Sequence, residues 1–163
     1  MSPMAAKHVP SVDDSGCVAT QAAPHSPPRI LVVEDEQDLR QLDAAALLEA
    51  GYQVDVAPDA AAAWAALQQK PYDLLCTNQF LPKTSGVKLL KKIKTAHLGL
   101  PVIMATGVLP HWEFTLHTWL QPVKRLLKPH SFEQLLRMVE EVLPRRANVH
   151  DLSTPRPPGL NLG

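Results

Sequence analysis

Cysteine is scarce in this chain. There are two, Cys17 and Cys76, in 163 residues. Cys17 sits in a polar, proline-containing stretch and Cys76 in an apolar one, so a disulfide between them is not expected. No Cys-x-x-Cys or Cys/His spacing suggests zinc, and the seven histidines show no metal-ligand pairing. This usage fits a reducing, cytoplasmic compartment. Long apolar runs are also missing: no stretch of about eighteen apolar residues exists to span a membrane. The N-terminus carries Pro10, Asp13 and Asp14 where a secretion signal needs an apolar segment. Net charge is absent too. Sixteen basic and sixteen acidic side chains cancel, so no global field gathers nucleic acid or anionic lipid.

What the chain does have is an ordinary core. Its hydrophobic fraction is 45%, and its length gives room for one domain. Proline is unevenly placed. Residues 1–28 carry Pro3, Pro10, Pro24, Pro27 and Pro28 with no hydrophobic period, and residues 144–163 carry Pro144, Pro155, Pro157 and Pro158. Both stretches read as disordered tails, too poor in apolar surface to offset chain entropy. The ordered unit is residues 29–143, a common size for one domain. The twenty residues after Leu143 read as too few and too polar for an output domain.

Within that unit strand and helix signals alternate. Ile30–Val33 is a short run rich in β-branched residues. A helix follows with Leu39, Leu42, Ala46 and Leu47 on one face, stopped by Gly51. Tyr52–Ala57 alternates as a half-exposed strand, and Asp59 caps an alanine-rich helix through Leu67. Tyr72–Thr77 is a third strand. Leu89, Leu90, Ile93 and Ala96 mark the buried stripe of a third helix. Pro101–Thr106 and Val123–Leu127 are strands, with a short helix over 111–120 between them. The last helix spaces Phe132, Leu135, Leu136, Val139 and Leu143 helically, behind the capping box Ser131–Gln134. Five β-α units in succession predict an α/β, doubly wound, five-stranded parallel sheet.

Ligands of such sheets bind at the carboxyl ends of the strands, near the switch in strand order. The residues closing the strands are Glu34-Asp35 with Glu36 next, Asn78, Thr106, and Lys128 before Pro129. The pattern argues against a nucleotide or flavin site. Those need glycines and helix-terminal amides after the first strand, where this chain has Glu34-Asp35-Glu36-Gln37-Asp38. Acids beside a lysine suit a hard divalent cation that takes oxygen ligands and bridges to phosphate.

Five strings carry a resemblance: Ile-Leu-Val-Val-Glu-Asp-Glu at 30–36, Tyr-Asp-Leu-Leu-Cys-Thr-Asn at 72–78, Leu-Pro-Lys-Thr-Ser-Gly at 81–86, Pro-Val-Ile-Met-Ala-Thr-Gly at 101–107 and Leu-Leu-Lys-Pro at 126–129. In order and spacing they resemble the signature segments of response-regulator receiver domains, over nearly the whole ordered unit. The resemblance implies a flavodoxin-like sheet of strand order 2-1-3-4-5. It implies Asp35 as the direct magnesium ligand, Glu34 as its acidic neighbour, and the backbone carbonyl of Phe80 as a further ligand. Thr106 would be the hydroxyl that moves toward a bound phosphoryl group, and Lys128 the ammonium that pairs with it. The Lys128–Pro129 bond is expected to be cis.

Two positions depart from the family pattern. The phosphoacceptor position, five residues after the acid that opens the strand (Asp73), holds Asn78. A carboxylate oxygen attacks phosphorus to give an acyl phosphate, whereas an amide is a far poorer nucleophile. Thr77 points to the opposite face of the strand and is no substitute. The exchange also removes a negative charge: two unit charges ~4 Å apart interact by ~4 kcal/mol at an effective dielectric of ~20, so Mg2+ binding is expected to be weak. Arg125 stands three residues before the lysine, where the family often has an aromatic residue that swings inward on activation.

The function implied is a stand-alone, cytoplasmic receiver module of two-component phosphorelay signalling. It would not be phosphorylated and would act through protein contacts with a histidine kinase, another regulator or itself. No enzymatic activity, small-molecule substrate, nucleic acid or membrane partner is expected. One alternative is a regulator whose normal form carries aspartate at position 78. Another is a phosphatase-like enzyme, which needs an aspartate nucleophile and a second acid two residues on. Glu34 and Glu36 have that spacing, but the first is not aspartate and no cap domain accompanies them.

Plainer readings apply elsewhere. Glu34 and Asp35 taken alone suit a helix start. Lys88, Lys91 and Lys92, with Lys83 and Lys94 near, read as a solvated face rather than a nucleic-acid patch. Trp112, Leu116, Trp119 and Leu120 read as packing against the sheet, with partner contact the alternative. Cys76 reads as a core residue.

Overall fold

The β-branched run at 30–33 is buried without interruption, the mark of a strand covered on both faces. The structure, a computed structural model, describes residues 26–107, 118–122 and 124–143. Its elements are β1 (Arg29–Val33), α1 (Gln37–Glu49), β2 (Gln53–Ala57), α2 (Ala60–Gln69), β3 (Leu74–Asn78), α3 (Gly86–Thr95), β4 (Val102–Thr106), a 3-10 turn (Thr118–Leu120), β5 (Lys124–Leu127) and α4 (Phe132–Val142). All strand pairs are parallel, in the order β2-β1-β3-β4-β5. This is the expected five-stranded doubly wound sheet, its strand order included.

Strand alternation divides the core in two. Leu31, Val33, Leu75 and Met104 face α2 and α3, meeting Ala63, Leu90 and Ile93. Ile30, Val32, Leu74, Cys76 and Ile103 face the other way, meeting Leu47, Leu135 and Val139 of α1 and α4. Cys76 is a core residue, as expected. Burial pushes its thiol above the ordinary range, and the nearby Asp43 adds to this. Cys17 lies outside the described residues, as do most of both proline-rich ends.

The caps follow the sequence signals. Asp59 accepts from the Ala62 N–H at 2.8 Å, and Ser131 and Gln134 form the reciprocal box at the head of α4. Gly51 takes φ +91°. There the chain leaves α1 through Gly51 N–H to Leu48 O and Tyr52 N–H to Leu47 O. Ser85 adds a cap on α3 that the sequence pattern did not single out. Asp55 of β2 gathers Arg29 of β1, Lys70 at the end of α2, and Tyr72. Burial raises the Asp55 carboxyl, but bonds from Lys70, Tyr72 and Arg29 outweigh it and hold it below the ordinary range. Burial and then Asp55 push Tyr72 up to about 12.

Several expectations need adjustment. Ala96, expected in the buried stripe of the third helix, is exposed and caps α3 at its C-terminal end. On α1 the buried residues are Asp43, Ala44 and Leu47, while Leu42 is 51% exposed. The sequence pattern puts Leu42 in the apolar stripe because a leucine outranks an aspartate in hydropathy. Asp43 turns inward instead, with His130 3.5 Å away. The third strand begins at Leu74 and runs through Asn78, rather than from Tyr72 to Thr77. Of the short helix expected over 111–120, residues 111–117, with Trp112 and Leu116, lie outside the described residues. The described part is a 3-10 turn in which Leu120 is buried and Trp119 is half exposed. Among the described residues no helix is long and apolar enough to cross a membrane.

Candidate functional site

Parallel strands that end together bring their closing residues to one edge. Here β1 delivers Glu34 and Asp35, β3 delivers Asn78, and the turn after β5 delivers Lys128. The Lys128 N–H is fixed to Thr106 O at 2.8 Å. The Lys128–Pro129 bond is cis, as the resemblance implied.

The four side chains form one connected group. Asn78 Nδ2 donates to Glu34 Oε1 and to Asp35 Oδ1, each at 3.1 Å. Lys128 Nζ donates to Glu34 Oε2 at 2.5 Å. Carboxylates only accept, so the amide nitrogen of Asn78, not its oxygen, must face them. Its Oδ1 is left to the Phe80 N–H at 3.4 Å. Glu34, Asn78 and Thr106 are buried, whereas Asp35 and the Phe80 side chain are exposed. The group is therefore a half-open pocket with a part-buried ion pair at its back.

The oxygen donors expected to hold magnesium are present: Glu34, Asp35 and the Phe80 carbonyl. As arranged here the two carboxylates are engaged by hydrogen bonds rather than turned toward an ion. Both Glu34 oxygens already accept hydrogen bonds, and an amide NH2 group occupies the position between the two carboxylates. In this orientation the amide presents a donor between the acids, and its oxygen would have to turn inward to become a neutral, weak ligand. Among the described residues no cluster of three or more His, Cys, Asp or Glu side chains has metal-binding geometry.

Two expected site residues stand apart from this group. Thr106 closes β4 beside it, but its hydroxyl donates to Gln79 Oε1. Arg125 lies on β5 in register with Met104, and its guanidinium bonds Gln121.

Other participants went unnoticed in the sequence. Gln79 is buried at the end of β3. Arg40 of α1 reaches back to the carbonyls of Glu34 at 2.6 Å and Asp35 at 3.2 Å, tying down the loop that carries the acids. Asp43 and His130 lie behind the pocket, lining with Glu34 and Asn78 a cavity of about 20 Å3. The signal for Asp43 was available: Leu39, Asp43 and Leu47 share one helical face, and an acid inside an apolar stripe asks for a partner. Gln79 and Arg40 gave no such signal, because both depend on strand register and side-chain reach.

A doubly wound sheet with acids, an amide and a lysine at its carboxyl edge defines a class of α/β domain. The model of the response regulator receiver domain matches residues 30–140, and the chain belongs to that family. Among curated relatives, the transcriptional regulatory protein CusR of Escherichia coli is 30% identical over 123 residues, covering 74% of this chain. The chain spans only about half of that protein, 53% of its length. The response regulator receiver protein CpdR of Brucella abortus is 30% identical over 115 residues, covering 71% of this chain and 96% of its own. Among solved structures, the response regulator TrrA of Thermotoga maritima, in complex with Mg(2+)-BeF, superposes with a TM-score of 0.63 at 28% identity. That match covers 71% of this chain and 98% of TrrA. The domain is thus a receiver of two-component signalling, a family that works through kinases and other proteins.

Proposed function

We propose that this receiver acts without being phosphorylated, through contacts with a protein partner: a histidine kinase, another regulator or a second copy. In this reading Asn78 holds the acceptor position, with Glu34, Asp35 and the Phe80 carbonyl as a weakened metal set. Thr106, Lys128 and Arg125 are the remaining switch positions. The observation that carries the reading is the Asn78 amide, which donates to Glu34 and Asp35 at once. It offers no carboxylate oxygen to phosphorus and fills the space between the two acids with a hydrogen-bond donor.

The test is intact-mass measurement after incubation with Mg2+ and acetyl phosphate, run beside Asn78→Asp. The parent is expected to gain no phosphoryl group, and the variant to gain one. A phosphoryl group on the parent would overturn the proposal.

A further inference from the structure

Gln79 occupies a post that the proposed function does not use. Its backbone is held from both sides: its N–H bonds Ala105 O and its C=O accepts from the Gly86 N–H, each at 2.8 Å. The register that pairs Asn78 with Ala105 carries the chain on so that Gln79 lies alongside Thr106. Both side chains are buried, at 5% and 1% exposure, and the Thr106 hydroxyl donates to Gln79 Oε1. A buried acceptor that loses its donor bears the full cost of desolvation.

We propose that Gln79 is a restraining residue for Thr106. It holds the hydroxyl on β3 and opposes its movement toward any anion held at position 78. This deepens the proposed function, because it adds a second block that is independent of Asn78. Restoring a carboxylate at 78 does not by itself restore the movement of Thr106. The hydroxyl must first leave a buried oxygen that has no solvent to replace it. An uncompensated buried group of this kind shifts an equilibrium by about tenfold, within a wide range.

The test has two parts. In the parent protein, urea unfolding of Thr106→Val, Gln79→Leu and the double variant forms a mutant cycle. The two substitutions are expected to be non-additive by about fivefold or more in the unfolding constant; strict additivity would overturn the proposal. In the Asn78→Asp background, beryllium fluoride with Mg2+ serves as the phosphoryl probe, read by anion affinity and by the Thr106 amide resonance. Asn78→Asp alone is expected to bind the probe with the Thr106 resonance little moved. Adding Gln79→Leu is expected to tighten binding about tenfold and to displace that resonance. Equal affinity with Thr106 fully displaced in both variants would overturn the restraint. Should no variant take up the probe while the cycle still shows coupling, it is the reading of the pocket as a phosphoryl site that falls, and the gating role with it.

Discussion

Asp43 and His130 sit behind the pocket with side chains 10% and 4% exposed. Their nearest atoms, Asp43 Oδ1 and His130 Nε2, are 3.5 Å apart, an ion-pair distance without hydrogen-bond geometry. Asp43 Oδ1 and His130 Nδ1 have no hydrogen-bond partner. Buried polar atoms in that condition cost stability, and the adjoining cavity of about 20 Å3 leaves room for a larger apolar ring. Replacing both partners with apolar side chains of similar shape is often neutral or stabilising by ~1–4 kcal/mol, whereas removing one strands the other. Asp43→Val with His130→Phe is therefore expected to be at least as stable as the parent. His130→Phe alone, which strands the buried side chain of Asp43, is expected to lose ~1–3 kcal/mol. Urea unfolding of the three proteins reads the difference. A double variant as weak as the single one would show that the pair contributes net stability.

At the scale of elements, the site depends on how closely α3 approaches the end of β3. Gly86, the first residue of α3, is so close that an added Cβ would lie 2.2 Å from the Asn78 carbonyl oxygen and 3.2 Å from the Gln79 Cα. Both neighbours are backbone atoms on a strand fixed by its pairing with β4, so neither can yield cheaply. Gly86→Ala is expected to cost ~2–3 kcal/mol in urea unfolding and to shift the backbone resonances of Asn78 and Gln79. An unchanged midpoint would mean that the loop slides freely. The same closeness shows what the sequence could and could not reveal. The Ser-Gly pair at 85–86 was legible as part of a signature segment. The strands, the caps at Asp59 and Ser131 and the convergence of Glu34, Asp35, Asn78 and Lys128 followed from periodicity and topology. The α1 face was misjudged because periodicity ranks positions by hydropathy and cannot see His130, which is distant in the chain. Gln79 was missed for a related reason. Its role arises only when β3 and β4 are in register, which a linear pattern does not state.

At the scale of the whole molecule, β1, β3 and β5 close on a pocket in which one ammonium offsets one of two carboxylates and a neutral amide bridges the pair. Lys128 neutralises Glu34 and the Asn78 amide bridges Glu34 to Asp35, so on the proposed reading the fold needs no divalent ion. A carboxylate at position 78 would add a second uncompensated negative charge. It would place three acids within a few ångströms of one another, and like charges ~4 Å apart repel by ~4 kcal/mol at an effective dielectric of ~20. The most direct measurement is the thermal midpoint of the parent and of Asn78→Asp, each in chelator and in millimolar Mg2+. The parent is predicted to melt at the same temperature in both. The variant is predicted to melt on the order of 10 °C lower in chelator and to recover most of the difference with Mg2+. A parent that gains as much from Mg2+ as the variant, or a variant as stable as the parent without metal, would contradict the account.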